Sequence, residues 1–427
     1  MKFNCLFSKI NYILIYTGLF LISCEKSPKL SVSLEDIIFE AMPEEAQIID
    51  IYANVDWVAT IQQDDEEWLT IDPPQGSGNG SITLTAVDNP DFFERTASIA
   101  ISGDGVRTDT IKIMQVSGID VAERIEDKTF REYCLVNFDN SPEDGLLSLQ
   151  EARLAIEIVI KGKSISTLAG IEYFTKLKTL NCSNNPIENL DLSKNKELRK
   201  LDCSYNKLDH VDVSENLKLA ELIVYGMDLK SVDVKKNTAL LWLAISNNQI
   251  ESIDVSNNKE LEGLECNENL ISSIDVSKNP KLLALYCSNN QLSKLDISAN
   301  TVLLHLWCNS NQLTSFDLSN NTSLQTLSCT NNSIKSLNMS KNTGLTRLMC
   351  DKNTITNLDL SQNTKLTDLS CSSNQLTGVI DISKNTELKT IDFKGNDKLK
   401  TILVWPGFDV NNNNYIKDET TKYQFRN

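Results

Sequence analysis

From Leu177 onward the apolar and polar positions recur every 21 residues in the order LxxLxCxxNxIxxLDxSxNxx. Ten units open at Leu177, Leu198, Leu219, Leu240, Leu261, Leu282, Leu303, Leu324, Leu345 and Leu366. Their fourth position is always Leu and their eleventh always Ile or Leu. A single unit has only a strip of apolar side chains and cannot bury it alone, so units must stack into a solenoid with one continuous core. Alternation within LxxLxC predicts one short strand per unit and a parallel sheet across the stack. A turn of 21 residues is too short for a full outer helix, and LDLS or IDVS at that place predicts a second short extended segment. A weaker unit precedes the ten (156–176), and the tenth carries one extra residue within 378–380. LKTIDFKGN and LKTILVWPGF then read as a partial unit and a closing cap, which puts the solenoid at 156–405 and a cap or tail at 406–427.

Pleating sorts the unit into inward and outward positions. Position nine is Asn in nine of the ten units, and an inward Asn satisfies backbone groups at the bend and relays them between turns. Met227 replaces it in the third unit, where local irregularity is expected. Eight of the eleven cysteines share position six, with Val224 and Ile245 in the two remaining units. In an exported chain an even set of cysteines ordinarily suggests disulfides. Here the aliphatic replacements mark the thiol as a small inward hydrophobe, and parallel Cβ vectors suit the disulfide dihedral poorly. Reduced packing thiols are expected. Positions three, five and seven point onto the concave sheet. They supply the candidate ligand-binding residues Tyr225, Trp242, Glu265, Tyr286, His305, Trp307, Arg347 and Met349. Other units hold Asn181, Ser183, Ser204, Thr326 or Ser370 in these columns, so the repeat does not demand the aromatics. Tyr286 and Trp307 occupy position five of adjacent units, which places them about 4.8 Å apart as one aromatic step.

The chain before the repeat divides into three parts. Residues 34–118 show short alternating runs (AQIIDIYANVDWVATIQ, SITLTAV, TASIAIS, DTIKIMQV) between turn clusters such as PPQGSGNG, the pattern of a β-sandwich. Its Trp57 and Trp68 are either core residues or a sugar-stacking platform. Residues 119–155 are expected to be a linker with a capping amphipathic helix, carried by Ile125, Phe130, Tyr133 and Cys134. The segment then runs into FDNSPEDGLLSLQEA, which resembles a single EF-hand calcium loop. Asp139, Asn140, Asp144 and Glu151 are its candidate ligands, but Pro142 occupies the third ligand position and Asp139 sits one residue too early. One calcium ion or an acidic loop without metal are both open; no other cofactor is expected. At the amino terminus, basic Lys2 and Lys9 precede the apolar run INYILIYTGLFLI, which is too short for a spanning helix and reads as an export signal over 1–23. Residues 24–33 would be a lipidated Cys24 and a tether.

Charge and composition narrow the chemistry. The net charge of −17 argues against nucleic acid, whose binders concentrate Lys and Arg. Only two histidines, His210 and His305, are present, which leaves almost no material for a Ser/His/Asp triad or a His-rich zinc site. No nucleophile elbow or phosphate loop appears, and the chain is expected to be non-enzymatic.

Four resemblances give these features a context. The 21-residue unit resembles leucine-rich repeats, and its cysteine ladder is similar to those of internalin-like adhesins, which implies surface recognition. Residues 34–118 resemble a BACON domain in their WLTI-P-GSG-ITLTA order around Trp68, which implies a Bacteroidota-type protein and a carbohydrate-binding, mucin-binding or spacer role. LISC, ending at Cys24, resembles the lipobox of bacterial lipoproteins, which implies acylation of Cys24. Two or three acyl chains anchor stably, at about 0.8 kcal/mol per buried CH₂. The expected molecule is a mainly β, monomeric lipoprotein of the outer membrane, facing the cell surface. Its repeat arc would bind a protein partner; the alternative is glycan or mucin capture by the BACON-like domain, the concave aromatics or both.

Overall fold

A computed structural model describes residues 27–426 apart from 42, 44, 63–65, 90–93, 117, 119 and 140–144. The chain forms two compact units, 1–118 and 119–427.

Two sheets build the first unit. One is ordered Leu30–Val32, Gln47–Ala53, Gly80–Ala86, Leu69–Asp72; the other is Asp36–Phe39, Asp109–Gln115, Arg95–Gly103, Asp56–Ile61, Gln75–Ser77. The period-two alternation puts Ile49, Ile51, Ile82, Leu84, Ile99, Ile101 and Ile111 inside, all fully buried. Leu30–Val32 lies in the stretch expected to be a tether, yet it pairs antiparallel with Gln47–Ala53, and Leu30 and Val32 pack on the core. The sandwich therefore starts earlier than 34. Trp57 and Trp68 are core residues, 2% and 6% exposed. Trp57 Nε1 donates to Gly78 O at 2.9 Å. A Cβ at Gly76 would lie 2.3 Å from Trp57 Cζ2, so PPQGSGNG is glycine-rich because it wraps this ring. The Trp68 ring carries the Arg95 guanidinium 4.7 Å from its centroid. Neither ring is offered to a sugar.

The second unit opens with helices α1 (Lys128–Phe138) and α2 (Leu149–Leu154). Asp127 caps α1 by accepting from the Thr129 and Phe130 amides, and Phe130 and Cys134 form its buried stripe. Val121, Phe130, Cys134 and Leu149 belong to the same core as the repeats. The capping helix expected within 119–155 is α1, and with α2 it closes the first turn of the solenoid, which would otherwise expose its leucines.

Thirteen parallel strands follow, from Glu157–Val159 through Thr179–Asn181 and its successors to Tyr415–Ile416. Each repeat contributes positions three to five, with the central Leu buried. Position eight turns left-handed in every unit, for instance at Asn184 (φ 57°), Tyr205 (φ 55°) and Asn289 (φ 54°). The bend after the strand requires this conformation. Position-nine Asn then satisfies it: Asn206 Nδ2 donates to the carbonyls of Cys182 (3.1 Å) and Cys203 (2.8 Å), while its Oδ1 accepts from Ile187 N at 3.1 Å. The third unit is irregular, as Met227 demands: Asp228 also turns left-handed (φ 57°), and Asn248 Oδ1 accepts from both Met227 N and Leu229 N.

The outer arc differs from expectation. LDxS forms no strand in the first nine units; a second parallel sheet appears only at the end, over Gly378–Asp381, Leu399–Val404 and Lys422–Phe425. Instead, the Asp accepts from the Ser amide two residues on, as Asp275 does from Ser277 N. A second ladder of buried Asn then takes the bonds a sheet would make: Asn279 Nδ2 donates to Val255 O (3.0 Å) and Asn258 O (2.8 Å). The second sheet begins at Gly378, in the stretch that holds the tenth unit's extra residue, and its register shifts between Gly378 and Val379, where Lys400 of the partner strand is skipped. The segment expected as a cap or tail is a cap over its described residues, 406–426: buried Phe408 stacks on Tyr415 at 4.7 Å and meets Trp405 and Tyr423.

Candidate functional site: the concave sheet

Parallel pairing carries outward side chains of neighbouring turns into rows. Glu265 pairs in register with Tyr286, and Tyr286 with Trp307. The Tyr286 and Trp307 rings have centroids 4.8 Å apart at 46°, the step expected from the spacing. Trp307 is 42% exposed, the most open aromatic of this face. Tyr225 reaches over an intervening turn, donating its hydroxyl to Glu265 Oε2 at 2.5 Å. Burial first, and then this carboxylate, push the Tyr225 phenol well above its ordinary range; burial and Glu265 also raise Tyr286. Trp242 lies over the next strand: a Cβ on Gly263 would sit 2.1 Å from Trp242 Cε3. Ala244, Gly263 and Ala284 are buried beneath the aromatics.

The eight candidates therefore do not form one cluster. Tyr225, Trp242, Glu265, Tyr286 and Trp307 come together in turns three to seven, with half-buried His305 at the margin beside Ala284. Arg347 and Met349 lie beyond the small residues Thr326 and Ser328 of turn eight. Arg347 faces Asp368 at 3.8 Å, and Met349 is exposed between Ser328 and Ser370. Sequence reasoning missed the three small residues under the aromatics; the Gly and Ala breaks in columns otherwise filled by larger side chains were the available signal. Exposed Leu241 and Leu283 just before the strands were also missed.

Beneath this face runs the thiol column. Cys182, Cys203, Cys266, Cys287, Cys308, Cys329, Cys350 and Cys371 are free and at most 1% exposed, and Val224 and Ile245 fill the column where it breaks. Burial pushes the Cys182 and Cys287 thiols up to about 12. These are unreactive packing groups.

The other two candidate sites are only partly described. Cys24, Asn140 and Asp144 lie outside the described residues. Glu151 is the third residue of α2 and closes a capping box, its Oε2 accepting from Ser148 N and Oγ at 2.9 Å each. Asp139 Oδ2 accepts from Gly145 N at 2.9 Å. Among the described residues no helix is long and apolar enough to cross a membrane.

With this geometry in hand, comparison with known proteins is direct. The functional domain of InlJ from Listeria monocytogenes, whose structure includes a cysteine ladder, is 30% identical, covers 71% of each chain and superposes with a TM-score of 0.65. The chain belongs to the internalin-like leucine-rich repeat proteins. An internalin (inlF) from the same organism, 22% identical, matches over 71% of this internalin-like chain and 96% of its own, with a TM-score of 0.56, and shares the fold. The BACON family, described as a putative binding domain, N-terminal, matches residues 57–116. No curated protein matches the chain. The internalin-like solenoid with an appended BACON domain is an architecture of recognition.

Proposed function

We propose that the protein is a non-enzymatic adhesion or recognition lipoprotein, held on the outer membrane by acylated Cys24 and acting as a monomer, whose concave sheet binds a protein partner. The observation that carries the reading is the cluster around Tyr286 and Trp307. Trp307 is exposed and Tyr286 half-buried, neither adds to the inward core, and the neighbouring outward positions hold the small residues Ala244, Gly263 and Ala284, which the repeat alone does not call for. Aromatics mixed with a carboxylate suit a protein hot spot, where rigid rings give large contact area at low entropic cost. Glycan capture remains the second reading, favoured by the open Trp307 ring alone, since Trp57 and Trp68 are buried. Calcium at Asp139, Asn140, Asp144 and Glu151 would require Glu151 to leave its capping role, and belongs to the proposal only as a loop-ordering ion.

The test is an array of host and bacterial surface proteins and glycans probed with the full chain and with Trp307→Ala. Loss of about 2 kcal/mol or more of protein affinity with retained folding supports the reading. Binding to glycans alone supports the second; retained binding with a collapsed melting temperature refutes the strand facing.

A further inference from the structure

The concave cluster has an uncompensated charge at its centre. Glu265 is half-buried, flanked by Tyr225 on one side, by Trp242 over Gly263 on another, and by Tyr286 on the next strand. Its hydrogen-bond partner is neutral, the Tyr225 hydroxyl. Elsewhere on this face Lys200 holds Glu221 at 2.9 Å and Arg347 faces Asp368, while Asp202 and Asp392 accept from the backbone amides of Ser204 and Lys394. Among the described residues Glu265 has no ion pair. Turns three to eight present no Lys or Arg at positions three, five or seven, and Glu262 and Glu268 of the same turn add to the negative potential.

Two physical arguments follow. A partner seated on Tyr286 and Trp307 removes water from Glu265 as well, and burying a carboxylate without a counter-charge costs several kcal/mol. An aromatic face attracts a cation and does nothing for a neutral or anionic group, and Tyr225, Trp242 and Tyr286 all lie beside Glu265. Gly263 leaves the space that the Trp242 ring fills, so this ring lies low over the strand beside Glu265.

We propose that this aromatic box takes a lysine or arginine side chain from the protein partner, with Glu265 as its counter-ion. The inference rests on the concave-face reading above and names what that face recognises. The outer oxygen of Glu265 is free to accept from the cation while Oε2 keeps its bond to Tyr225.

The test uses the full chain, a random peptide library, and the variants Glu265→Gln, Trp307→Ala and Tyr225→Phe. Gln keeps an acceptor for the Tyr225 hydroxyl, so E265Q should fold as the parent does, which circular dichroism checks. The expected result is enrichment of peptides with a basic residue at one fixed place. Those peptides should bind E265Q about thirtyfold more weakly or worse, and lose binding when that residue is replaced by norleucine. Tyr225→Phe, which frees the carboxylate, should bind at least as well as the parent. Two results overturn the inference but spare the concave-face reading: peptides without a basic residue, or binding lost in W307A and kept in E265Q. Failure to enrich any peptide, or binding by both variants undiminished from the parent, overturns both.

Discussion

Replacing Asn353 by Leu, which keeps the branched heavy-atom shape but loses the amide's donor and acceptor, should open the solenoid locally by a calculable amount. Asn353 Oδ1 accepts from Ile334 N at 3.0 Å, and its Nδ2 donates to the carbonyls of Cys329, Cys350 and Asp351 at 2.9, 3.1 and 3.1 Å. These three carbonyls keep second donors, Asn332 Nδ2, Asn374 Nδ2 and Asn331 N. Ile334 N keeps none from the ladder, and Ile334 is fully buried. One orphaned buried donor costs about 1–3 kcal/mol, and thinning the carbonyl bonds adds about 1 kcal/mol. The expected loss is therefore about 2–4 kcal/mol, concentrated in turns eight to ten because a solenoid couples only nearest neighbours. The buried thiols report it directly. Native-state alkylation of Cys329 and Cys350, read by mass spectrometry, should accelerate roughly 30- to 700-fold at a tenfold per 1.4 kcal/mol, while Cys182 keeps its slow rate. An acceleration under about threefold at Cys329 and Cys350 would refute the argument that the ladder, not the leucine core, holds the bend. An equal acceleration at Cys182 would refute the locality.

The second Asn ladder acts only as a donor, since the Asn279 amide oxygen accepts nothing; Asn279→Asp should cost about 3 kcal/mol or more in urea titration, because it sets a carboxylate against two carbonyls. The folded thiols of Cys182 and Cys287 ionise near 12 against an ordinary 9.0, so their stabilisation is complete below pH 9 and is lost as pH rises toward 12. Each thiol contributes about 1.4 kcal/mol per pH unit across that window, and the decline, followed by urea midpoints under reducing conditions, should flatten in Cys182→Val and Cys287→Val. Cys24→Ser should move mature protein from the membrane to the soluble fraction; unchanged fractionation would refute lipid anchoring.

How much of this was readable beforehand follows the reach of each interaction. Period and pleat alone placed the thiol column inward, the Asn of position nine at the bend, and Tyr286 beside Trp307, because those relations are fixed by backbone register. The outer arc was misread because LDxS has strand-like composition, yet Asp275 and Asn279 take over the bonds by side chain, which alternation does not report. The tether was misplaced for a different reason: Leu30–Val32 is too short to show a period and is ordered only by its partner strand. At the concave face, the contact of Tyr225 with Glu265 depends on a side chain crossing a whole turn, and the seat of Trp242 depends on a glycine one strand away. Rotamers decide both, and they leave no trace in the repeat.

The two Asn ladders impose an arithmetic on the length of the arc. Each amide reaches one turn back, so every bend except the one before Met227 is satisfied by the turn that follows it, and a cut that respects the unit leaves both ladders matched elsewhere. A segment of one full turn can be copied in or dropped out with its donors and acceptors still matched, whereas a loss of a few residues within the strand side would strand a buried group in each neighbour. The single extra residue of the tenth unit sits where the ladders tolerate it, on the outer arc at Gly378, and Asn385 still reaches Leu360 O at 3.1 Å. Such a chain changes its span in whole turns, and each addition brings a fresh row of outward positions with no commitment to what they hold.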